Sequence, residues 1–394
     1  MKILVANLGS TSFKYRLFSF SGEAETLLAK GGYERVEDFG AVISDALKNL
    51  IDGGHLESMD DLAGVGFKTV LGKDLSGCVL ADERTLAALD GFAQIAPAHN
   101  PAYAAGIRQF QRLTRAPCVA LFETSFYQWM PESAKHYGVP RAWREAGIRR
   151  YGFHGASHKF IAERSAELLG RDDVAGRVRQ LYVRGPGEEP AQPLRVISCH
   201  LGGSSSVAGM RSGVAMGCSF GLSPQSGLPH NNRVGDLDSM AIAVAMKELG
   251  ISFDEALRQL SKEGGLLGLS GCSNDIRDVV AAMEAGNADA AVAIDVFVHS
   301  IRQWIGSFFF EMGGAEALVF TAGIGENQAL VRERVCAGLA PLGIELDTGR
   351  NAGFRAAEGD LATPASRTRI LVIPTNEELV VARETRRLLL SRSS

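Results

Sequence analysis

The feature of this sequence that most constrains its fold is a short motif that occurs twice. Residues 6–12 read ANLGSTS, and residues 199–205 read CHLGGSS. Each motif follows an apolar run typical of a β-strand, and each is followed by a second strand-like stretch. A repeat of this kind predicts two related α/β halves, each of which presents a turn of glycine and serine to a shared cleft.

Length and composition are consistent with two such halves. At 394 residues the chain predicts two domains rather than one. The net charge is −4 and the basic residues are scattered, so neither a nucleic acid nor an anionic membrane is an expected partner. The start of the chain is too quickly polar for a signal peptide, and no apolar run approaches a membrane span. The six cysteines are spread without a CxxC pair, which predicts a cytoplasmic protein with reduced thiols.

Three turns have the composition of phosphate-binding turns. Small residues let backbone N–H groups approach an anion closely, and serine and threonine hydroxyls add donors. The two repeated turns have this composition, with Lys14 as a point charge after the first. Residues 321–331, TAGIGENQALV, place a third glycine turn before a helix. None of the turns has the GxxxxGK[ST] pattern, which excludes a P-loop. Each turn alone could be structural, but three in one chain indicate nucleotide binding.

A single carboxylate follows the most apolar strand of the first half. Residues 118–122 read CVALF, and Glu123 comes directly after them. A carboxylate in this position must be solvated in a cleft, paired, or shifted in its pKa. Glu123 is therefore either a strand end that reaches water or part of a site.

Six segments, in this order, resemble the acetate kinase family, whose members transfer phosphoryl groups between ATP and short-chain carboxylates. They are NLGSTSFKY, RRYGFHGASH, SCHLGGSSS, GLLGLSGCSNDIRD, VFTAGIGENQALVRERV and VIPTNEELVVA. The resemblance implies an α/β fold with two duplicated domains of the actin, Hsp70 and sugar-kinase (ribonuclease H-like) type around a nucleotide cleft. We expect residues 1–125 and the C-terminal helix 378–394 to form the acceptor-side domain, and residues 126–377 the nucleotide-binding domain.

The resemblance also implies the ligands and their binding residues. The partners would be ATP or ADP, a small carboxylic acid or acyl phosphate, and a second copy of the chain in a homodimer. Mg²⁺, or alternatively Mn²⁺, would be held by Asn7 and Glu377. The residues implied for the nucleotide, from the phosphates to the adenosine, are Lys14, His200, Leu201, Gly202, Gly203, Ser204, Asp275, Ile276, Arg277, Gly323, Ile324, Gly325, Glu326 and Asn327.

Reaction and acceptor residues follow from the same resemblance. His154 and Arg233 would stabilise the phosphoryl group in flight, and Glu123 would orient the acceptor or act as the acid/base group. Cations and imidazoles around the equatorial oxygens suit in-line phosphoryl transfer. The residues implied for the acceptor side are Lys68, Val70, Ala98, His99, Phe153 and Pro224, with Val70, Ala98, Phe153 and Pro224 lining a small apolar acyl pocket.

The acceptor side also departs from the family pattern. Glu123 stands where the family has aspartate, and Lys68 stands where it has a substrate-gripping arginine. Lysine is a point charge that cannot bind a carboxylate bidentately, and glutamate reaches roughly 1.3–1.5 Å further than aspartate. Ala98 replaces a larger aliphatic residue, while Lys73, Asn231 and Asn232 offer polar contacts. These changes predict an acceptor other than acetate that is larger or more polar.

Three alternative functions remain open on the sequence. The chain could be an acetate or propionate kinase proper, with the substitutions tolerated. It could be a nucleotide-binding regulator that has lost catalysis, or a kinase for an alcohol with Glu123 as general base. His154 and His158 stand at i, i+4, a spacing known from zinc sites, but no third ligand lies nearby in the sequence, so zinc is not expected.

Overall fold

The computed structural model describes residues 1–9, 11–22, 24–72, 75–91 and 100–393. Lys73, Ala98 and His99 lie outside the described residues. Two mixed sheets, each with six described strands, organise the rest. The first sheet contains β1 (Lys2–Leu8), β2 (Ser12–Ser21), β3 (Ala24–Glu34), β4 (Leu62–Thr69), β5 (Cys78–Leu80) and β6 (Cys118–Phe122); the second contains β7 (Arg195–Leu201), β8 (Ser205–Arg211), β9 (Val214–Cys218), β10 (Ala317–Thr321), β11 (Gly359–Asp360) and β12 (Arg369–Val372).

Helices connect these strands and cover the faces of the two sheets. The α-helices of the described residues are α1 (Phe39–Asp52), α2 (Glu83–Gly91), α3 (Asn100–Leu113), α4 (Glu132–Lys135), α5 (Arg141–Glu145), α6 (Gly155–Leu168), α7 (Asp172–Arg184), α8 (Met240–Leu249), α9 (Phe253–Lys262), α10 (Gly265–Ser270), α11 (Ile276–Glu284), α12 (Ala288–Glu311), α13 (Ala322–Asn327), α14 (Ala329–Cys336), α15 (Thr348–Ala352) and α16 (Glu377–Ser393). Short 3₁₀ turns occur at Met59–Asp61, Ser125–Tyr127 and Ala340–Leu342.

The two sheets have the same topology. The strand order is β3-β2-β1-β4-β6-β5 in the first and β9-β8-β7-β10-β12-β11 in the second. In each sheet an antiparallel three-stranded meander comes first, two parallel strands follow, and a short antiparallel strand closes the far edge. The repeated Gly/Ser turns join the first two strands of each meander. The predicted α/β class with a duplicated architecture is therefore confirmed.

Helices cover both faces of the first sheet. Ile43 and Leu47 of α1 and Ile107 of α3 pack with the inner residues of the sheet on one face. On the other face, Val381 of α16 packs with Ile3 of β1. Because both faces are covered, the central parallel strands are continuous apolar runs rather than alternating ones. Helix α16 sits close to β4 because the strand carries glycines there: a Cβ built at position 66 would lie 2.5 Å from the Thr385 hydroxyl.

The second sheet is covered in the same way, and α6 and α16 connect the two halves. Helix α12 packs on one face of this sheet, and helices α6 and α7 pack on the other. Helices α6 and α16 contact each other through Lys159 and Glu384, whose Nζ and Oε1 are 2.8 Å apart and whose side chains are both 1% exposed. His154 directly precedes α6 and Glu377 begins α16, so this ion pair fixes two candidate site residues relative to each other. Among the described helices, none has the length and apolar character needed to cross a membrane.

Candidate active site

Lys68 lies between two carboxylates that come from distant parts of the chain. Its Nζ is 2.7 Å from Glu377 Oε2 and 3.1 Å from Glu123 Oε1. Strands β4 and β6 are parallel neighbours, so their carboxyl ends meet at one edge of the sheet. The backbone N–H of Glu123 donates to the Thr69 carbonyl at 2.8 Å, which fixes the carboxylate beside Lys68. Glu123 is only 6% exposed, so it is a paired, buried carboxylate rather than a strand end in water.

Burial and charge pairing set the protonation of this trio. Burial alone would lower the pKa of Lys68, but Glu123 and Glu377 overcome it and hold that pKa well above its usual value. Burial raises the pKa of Glu123. The charge of Lys68 opposes this rise, and the charge of Glu377 adds to it. Burial acts the same way on Glu377, but Lys68 and His200 outweigh it and lower the Glu377 pKa. Glu123 Oε2 and Glu377 Oε1 are buried and take no hydrogen bond from the described residues, so both oxygens can meet a bound group.

Asn7 adds an amide oxygen next to this trio. The Tyr103 hydroxyl donates to Asn7 Oδ1 at 2.8 Å. Burial raises the pKa of Tyr103, Lys68 opposes that rise and the two carboxylates add to it, which places Tyr103 within electrostatic range of all three groups. Carboxylate and amide oxygens are the donors that Mg²⁺ prefers, and Mg²⁺ needs few protein ligands because it keeps several waters. The unpaired Glu377 Oε1 and the Asn7 amide oxygen fit such an ion.

Three buried or half-buried histidines stand beside the trio. His154 has a left-handed backbone (φ +59°), and its ring stacks on His200 with 3.9 Å between centroids. Burial, followed by His200, His158 and Lys68, holds the pKa of His154 well below its usual value. Burial also lowers the pKa of His200, to about 4. Burial and His200 depress the pKa of His158 as well. All three rings are therefore neutral near pH 7.

Arg233 occupies a tight polar turn at the other side of the cluster. Its Nη1 donates to the Pro224 carbonyl at 2.6 Å, and burial lowers its pKa. The turn is held by His230, whose backbone N–H donates to the Arg233 carbonyl and whose ring stacks on Phe220. Phe220 also contacts the His154 ring at 5.1 Å, so the arginine turn and the histidine cluster share one aromatic wall.

Most of the residues expected to bind the nucleotide surround one cavity of about 330 Å³. It lies between the turn after β7 and the starts of α11 and α13; Gly323 and Gly325, expected in a turn before a helix, are part of α13. Asp275 caps α11 by accepting from the Arg277 backbone N–H at 2.9 Å, and it also pairs with the Arg277 guanidinium. The described residues that line the cavity are Gly202, Gly203, Asn231, Asp275, Ile276, Arg277, Gly323, Ile324, Asn327 and Gln328.

The remaining residues expected at the nucleotide do not line this cavity. Leu201 is fully buried in the core of the second sheet, and Ser204 completes the turn beside Gly203. Gly325 is buried in α13, and Glu326 accepts a 3.4 Å hydrogen bond from the Thr375 backbone. Lys14 does not line the 330 Å³ cavity: it is exposed, pairs with Glu34 at 3.1 Å, and shares the wall of a second cavity of about 460 Å³ with Asn7.

The described acceptor-side residues lie around the same cleft. Val70 is half-buried and packs against the apolar cores of both halves. Phe153 is buried next to His154, and its ring contacts Phe220 edge to face at 5.8 Å. Pro224 lies on the arginine turn. Ala98 and His99 were also expected here, but they are outside the described residues.

Sequence reasoning missed several residues that contact this site. Tyr103 lies on α3 and gave no motif, because an isolated tyrosine on a helix is usually core. His158 was considered as a zinc ligand and not for this site, whereas in the structure it hydrogen-bonds to Ser198 and Ser206 at 2.9 Å each. Asn231 was expected to offer contacts to the acceptor, whereas the structure places it in the wall of the 330 Å³ cavity. The signal available in the sequence was the run of polar residues HNNR at 230–233.

Comparison with known families matches the chain to one of them over most of its length. The model of the acetokinase family matches residues 29–383. The chain is 39% identical to the acetate kinase of Bacillus cytotoxicus over 412 aligned residues, covering 98% of both sequences. It is 38% identical to the acetate kinase of Bacillus anthracis, again over 98% of both.

Solved structures give the same picture. The crystal structure of Porphyromonas gingivalis acetate kinase is similar with a TM-score of 0.87 and 30% identity, covering 98% of this chain and 99% of that one. A propionate kinase from Francisella tularensis subsp. tularensis is similar with a TM-score of 0.83 and 31% identity at the same coverage. The duplicated sheets and the paired turns described above thus have the arrangement of carboxylate kinases.

Proposed function

Because the chain belongs to the acetokinase family, and is thus an ATP-dependent phosphotransferase with a carboxyl group as acceptor, we propose that its acceptor is a small carboxylic acid other than acetate. The reaction forms an acyl phosphate and ADP and can run in reverse. The observation that carries the proposal is the contact of Lys68 with both Glu123 and Glu377. Lys68 donates a hydrogen bond to Glu377 and is in ion-pair contact with Glu123, so its point charge is already shared between two carboxylates and offers the acceptor no bidentate grip.

The charges of the trio favour an acceptor with an additional polar group. Lys68 carries one positive charge, Glu377 is ionised, and burial favours the protonated form of Glu123. Because burial raises the pKa of Glu123, its carboxyl group holds a proton more readily than an exposed glutamate, and in the protonated form it does not repel an incoming carboxylate and can donate a hydrogen bond. A hydroxyl or keto group on the acceptor would accept a hydrogen bond from protonated Glu123 Oε2, which has no partner among the described residues. We therefore favour hydroxy or keto acids of up to about six carbons over acetate.

The roles of the surrounding residues follow from their positions. The Gly202–Gly203 turn and the residues from Asp275 to Arg277 would hold ATP in the 330 Å³ cavity. Arg233 and the neutral rings of His154 and His200 would donate to the oxygens of the phosphoryl group as the acceptor carboxylate attacks it. Mg²⁺, held by Asn7 and Glu377, would neutralise charge on the phosphates. These residues would position the reacting groups and donate hydrogen bonds to them. They would form no covalent bond with the substrates.

A hydroxamate-trapping screen tests the acceptor. Wild-type protein with MgATP is assayed against C1–C6 monocarboxylic, hydroxy, keto and dicarboxylic acids, and the values of kcat/KM are compared. We expect a hydroxy or keto acid to exceed acetate by on the order of 10-fold or more, the usual effect of one additional satisfied hydrogen bond to a charged or buried group. Acetate as the best substrate by a wide margin would contradict the proposal.

Lys68→Arg is the matching variant. An arginine restores bidentate binding of a simple carboxylate, so the ratio of kcat/KM for acetate to that for the preferred acid should rise. Lys247→Arg makes the same chemical change on the exposed helix α8 and should leave the ratio unchanged.

A second candidate is acetate or propionate kinase proper. It is favoured by the names of the relatives, which are acetate kinases and a propionate kinase. The same screen separates it, because it predicts that acetate or propionate gives the highest kcat/KM and that Lys68→Arg changes their absolute rates without changing the order of acids.

We also propose a homodimer, formed through α8 and α9. This surface exposes several large apolar residues: Met240 is 66% exposed, Val244 56%, Leu249 66% and Phe253 52%. Apolar side chains clustered in this way are typical of an interface between subunits. Light scattering after size exclusion should give twice the 42.1 kDa chain mass, and a single-chain mass would contradict the dimer.

A further inference from the structure

Buried hydrogen bonds behind His154 determine which nitrogen of its ring carries the proton. This assignment rests on the proposed function and deepens it, because it says how the ring interacts with the phosphoryl group. His154 Nδ1 lies 2.9 Å from Ser206 Oγ. Ser206 Oγ lies at the same distance from His158 Nε2, and His158 Nδ1 lies 2.9 Å from Ser198 Oγ. Two serine hydroxyls and two imidazoles thus form one continuous chain of hydrogen bonds that ends at His154.

The far end of this chain fixes its direction. The Ser198 side chain is fully buried, and among the hydrogen bonds of the described residues its hydroxyl has His158 as its only partner. If His158 donated to Ser198, the hydroxyl proton of Ser198 would be buried with no acceptor, which is unfavourable. The Ser198 hydroxyl therefore donates to His158 Nδ1. A neutral His158 must then carry its proton on Nε2, and burial of the ring keeps it neutral.

The near end follows by the same reasoning. His158 Nε2–H donates to Ser206 Oγ, so the Ser206 proton is free for His154 Nδ1, the only other partner that this hydroxyl has among the described residues. Ser206 is fully buried, and a proton donated from His154 to Ser206 would again leave the hydroxyl proton without an acceptor. His154 Nδ1 accordingly accepts, and the proton of the neutral ring resides on Nε2.

The neighbouring ring shows the same arrangement independently. His200 Nδ1 lies 2.8 Å from the Ser157 hydroxyl, which is fully buried and has no other partner among the described residues. Ser157 therefore donates to His200 Nδ1, and His200 also carries its proton on Nε2. The two rings stack at 3.9 Å, and the Nε2–H group of each donates to no acceptor in the part of the chain that the structure describes.

We propose that Ser198, His158 and Ser206 act as a positioning relay that holds His154 as the neutral Nε2–H tautomer. His154 then serves as a hydrogen-bond donor to a phosphoryl oxygen, paired with the Nε2–H group of His200, and does not serve as a proton acceptor from the substrate. Two neutral donors stabilise charge that develops on the transferring group without placing a permanent positive charge next to Lys68 and Arg233.

The tautomers can be measured directly on the unliganded wild-type protein. Two-bond ¹H–¹⁵N correlation spectra of protein labelled with ¹⁵N-histidine distinguish a protonated Nε2 from a protonated Nδ1, and His154→Gln, His158→Gln and His200→Gln spectra assign the three rings. We expect Nε2–H for all three near pH 7. A protonated Nδ1 on His154 or His158 would overturn the inference. This measurement needs no substrate, so it holds even if the proposed acceptor is wrong.

Ser206→Ala tests the consequence for catalysis. The change removes the relay but no group that touches substrate, so kcat should fall on the order of 10-fold while KM for ATP changes little. Ser206→Thr keeps the hydroxyl and should recover kcat. Ser165→Ala is the matched control, because Ser165 is a fully buried serine of α6 whose hydroxyl, within the described part of the chain, hydrogen-bonds only to a backbone carbonyl of the same helix. Equal kcat in Ser206→Ala and Ser165→Ala would overturn the relay.

Discussion

At the scale of single residues, Glu123 has the largest consequence for its neighbours. It is buried, it contacts Lys68, and one of its oxygens has no partner among the described residues. The lysine therefore holds two carboxylates in place with one charge, and the pKa of the carboxylate with the longer contact is raised while that of the closer one is lowered. A carboxyl group with a raised pKa holds a proton more readily than an exposed one, so it can donate a hydrogen bond to the acceptor.

Glu123→Gln tests this role. The amide keeps the shape of the side chain but has neither the charge that pairs with Lys68 nor a carboxyl proton, so the acceptor loses its orientation and kcat should fall on the order of 10²-fold. The Kd for MgATP, measured by calorimetry, should be unchanged, since Glu123 does not line the 330 Å³ cavity that we propose for the nucleotide.

Glu145→Gln is the matched control for this change, because Glu145 is an exposed residue whose contact is a surface ion pair with Arg141. It should leave both kcat and Kd unchanged. Full activity in Glu123→Gln would contradict a role in acceptor orientation, and lost MgATP binding would point to a structural role.

At the scale of secondary structure elements, the pairing of α6 with α16 positions the site. Each helix begins next to a candidate site residue, His154 or Glu377, and the two helices are joined by the buried Lys159–Glu384 pair. Lys159 also lies over the Tyr182 ring at 5.2 Å, and Arg387 adds a second contact to Glu384. The distance between the two halves of the cleft thus depends on a few buried charges that are remote from the substrate.

Glu384→Gln should strongly destabilise the protein. It leaves the Lys159 ammonium buried without a counter-charge, which typically costs about 3–5 kcal/mol of unfolding free energy. Urea unfolding followed by circular dichroism measures the change. Glu378→Gln on the same helix removes a looser, more exposed contact to Arg16, 3.7 Å long, and should cost no more than about 1 kcal/mol. Equal effects of the two changes would show that burial of the pair is not what stabilises the helix contact.

At the scale of the whole molecule, buried neutral histidines tie stability to pH. Burial lowers the pKa of His200 to about 4, and burial with the charge of Arg233 lowers that of His230 to about 3, while His154 and His158 are shifted in the same direction. In the unfolded chain these groups bind protons near pH 6.5. As the pH falls below 6.5 the unfolded state takes up protons that the folded state does not, so stability decreases until the folded-state pKa values are reached.

The free energy of unfolding should therefore drop between pH 7 and pH 5. Each buried histidine contributes a slope of up to about 1.4 kcal/mol per pH unit below its unfolded pKa. Urea titrations at several pH values measure the slope, and His158→Gln should reduce it by the contribution of about one buried histidine. His299→Gln, at an exposed position of α12, should leave it unchanged. Stability that does not vary over this range would contradict neutral buried rings.

The sequence by itself determined the α/β class, the duplication, and the Gly/Ser turns that follow β1 and β7, because strand patterns and glycine turns are local properties of the chain. It also placed Glu123 after a strand and predicted the carboxylate kinase family. Only the tertiary structure decided which side chains meet. Lys68 and Glu377 are 309 positions apart, and Tyr103 and Asn7 are 96 apart.

The hydrogen-bond chain through Ser198, His158 and Ser206 likewise spans two strands and a helix start, and Lys14 turned out to pair with Glu34 rather than to line the 330 Å³ cavity. Such contacts depend on how the helices pack on the sheets and on which polar groups become buried and therefore need hydrogen-bond partners. No local pattern contains that information, because it arises only when distant segments exclude water from one another.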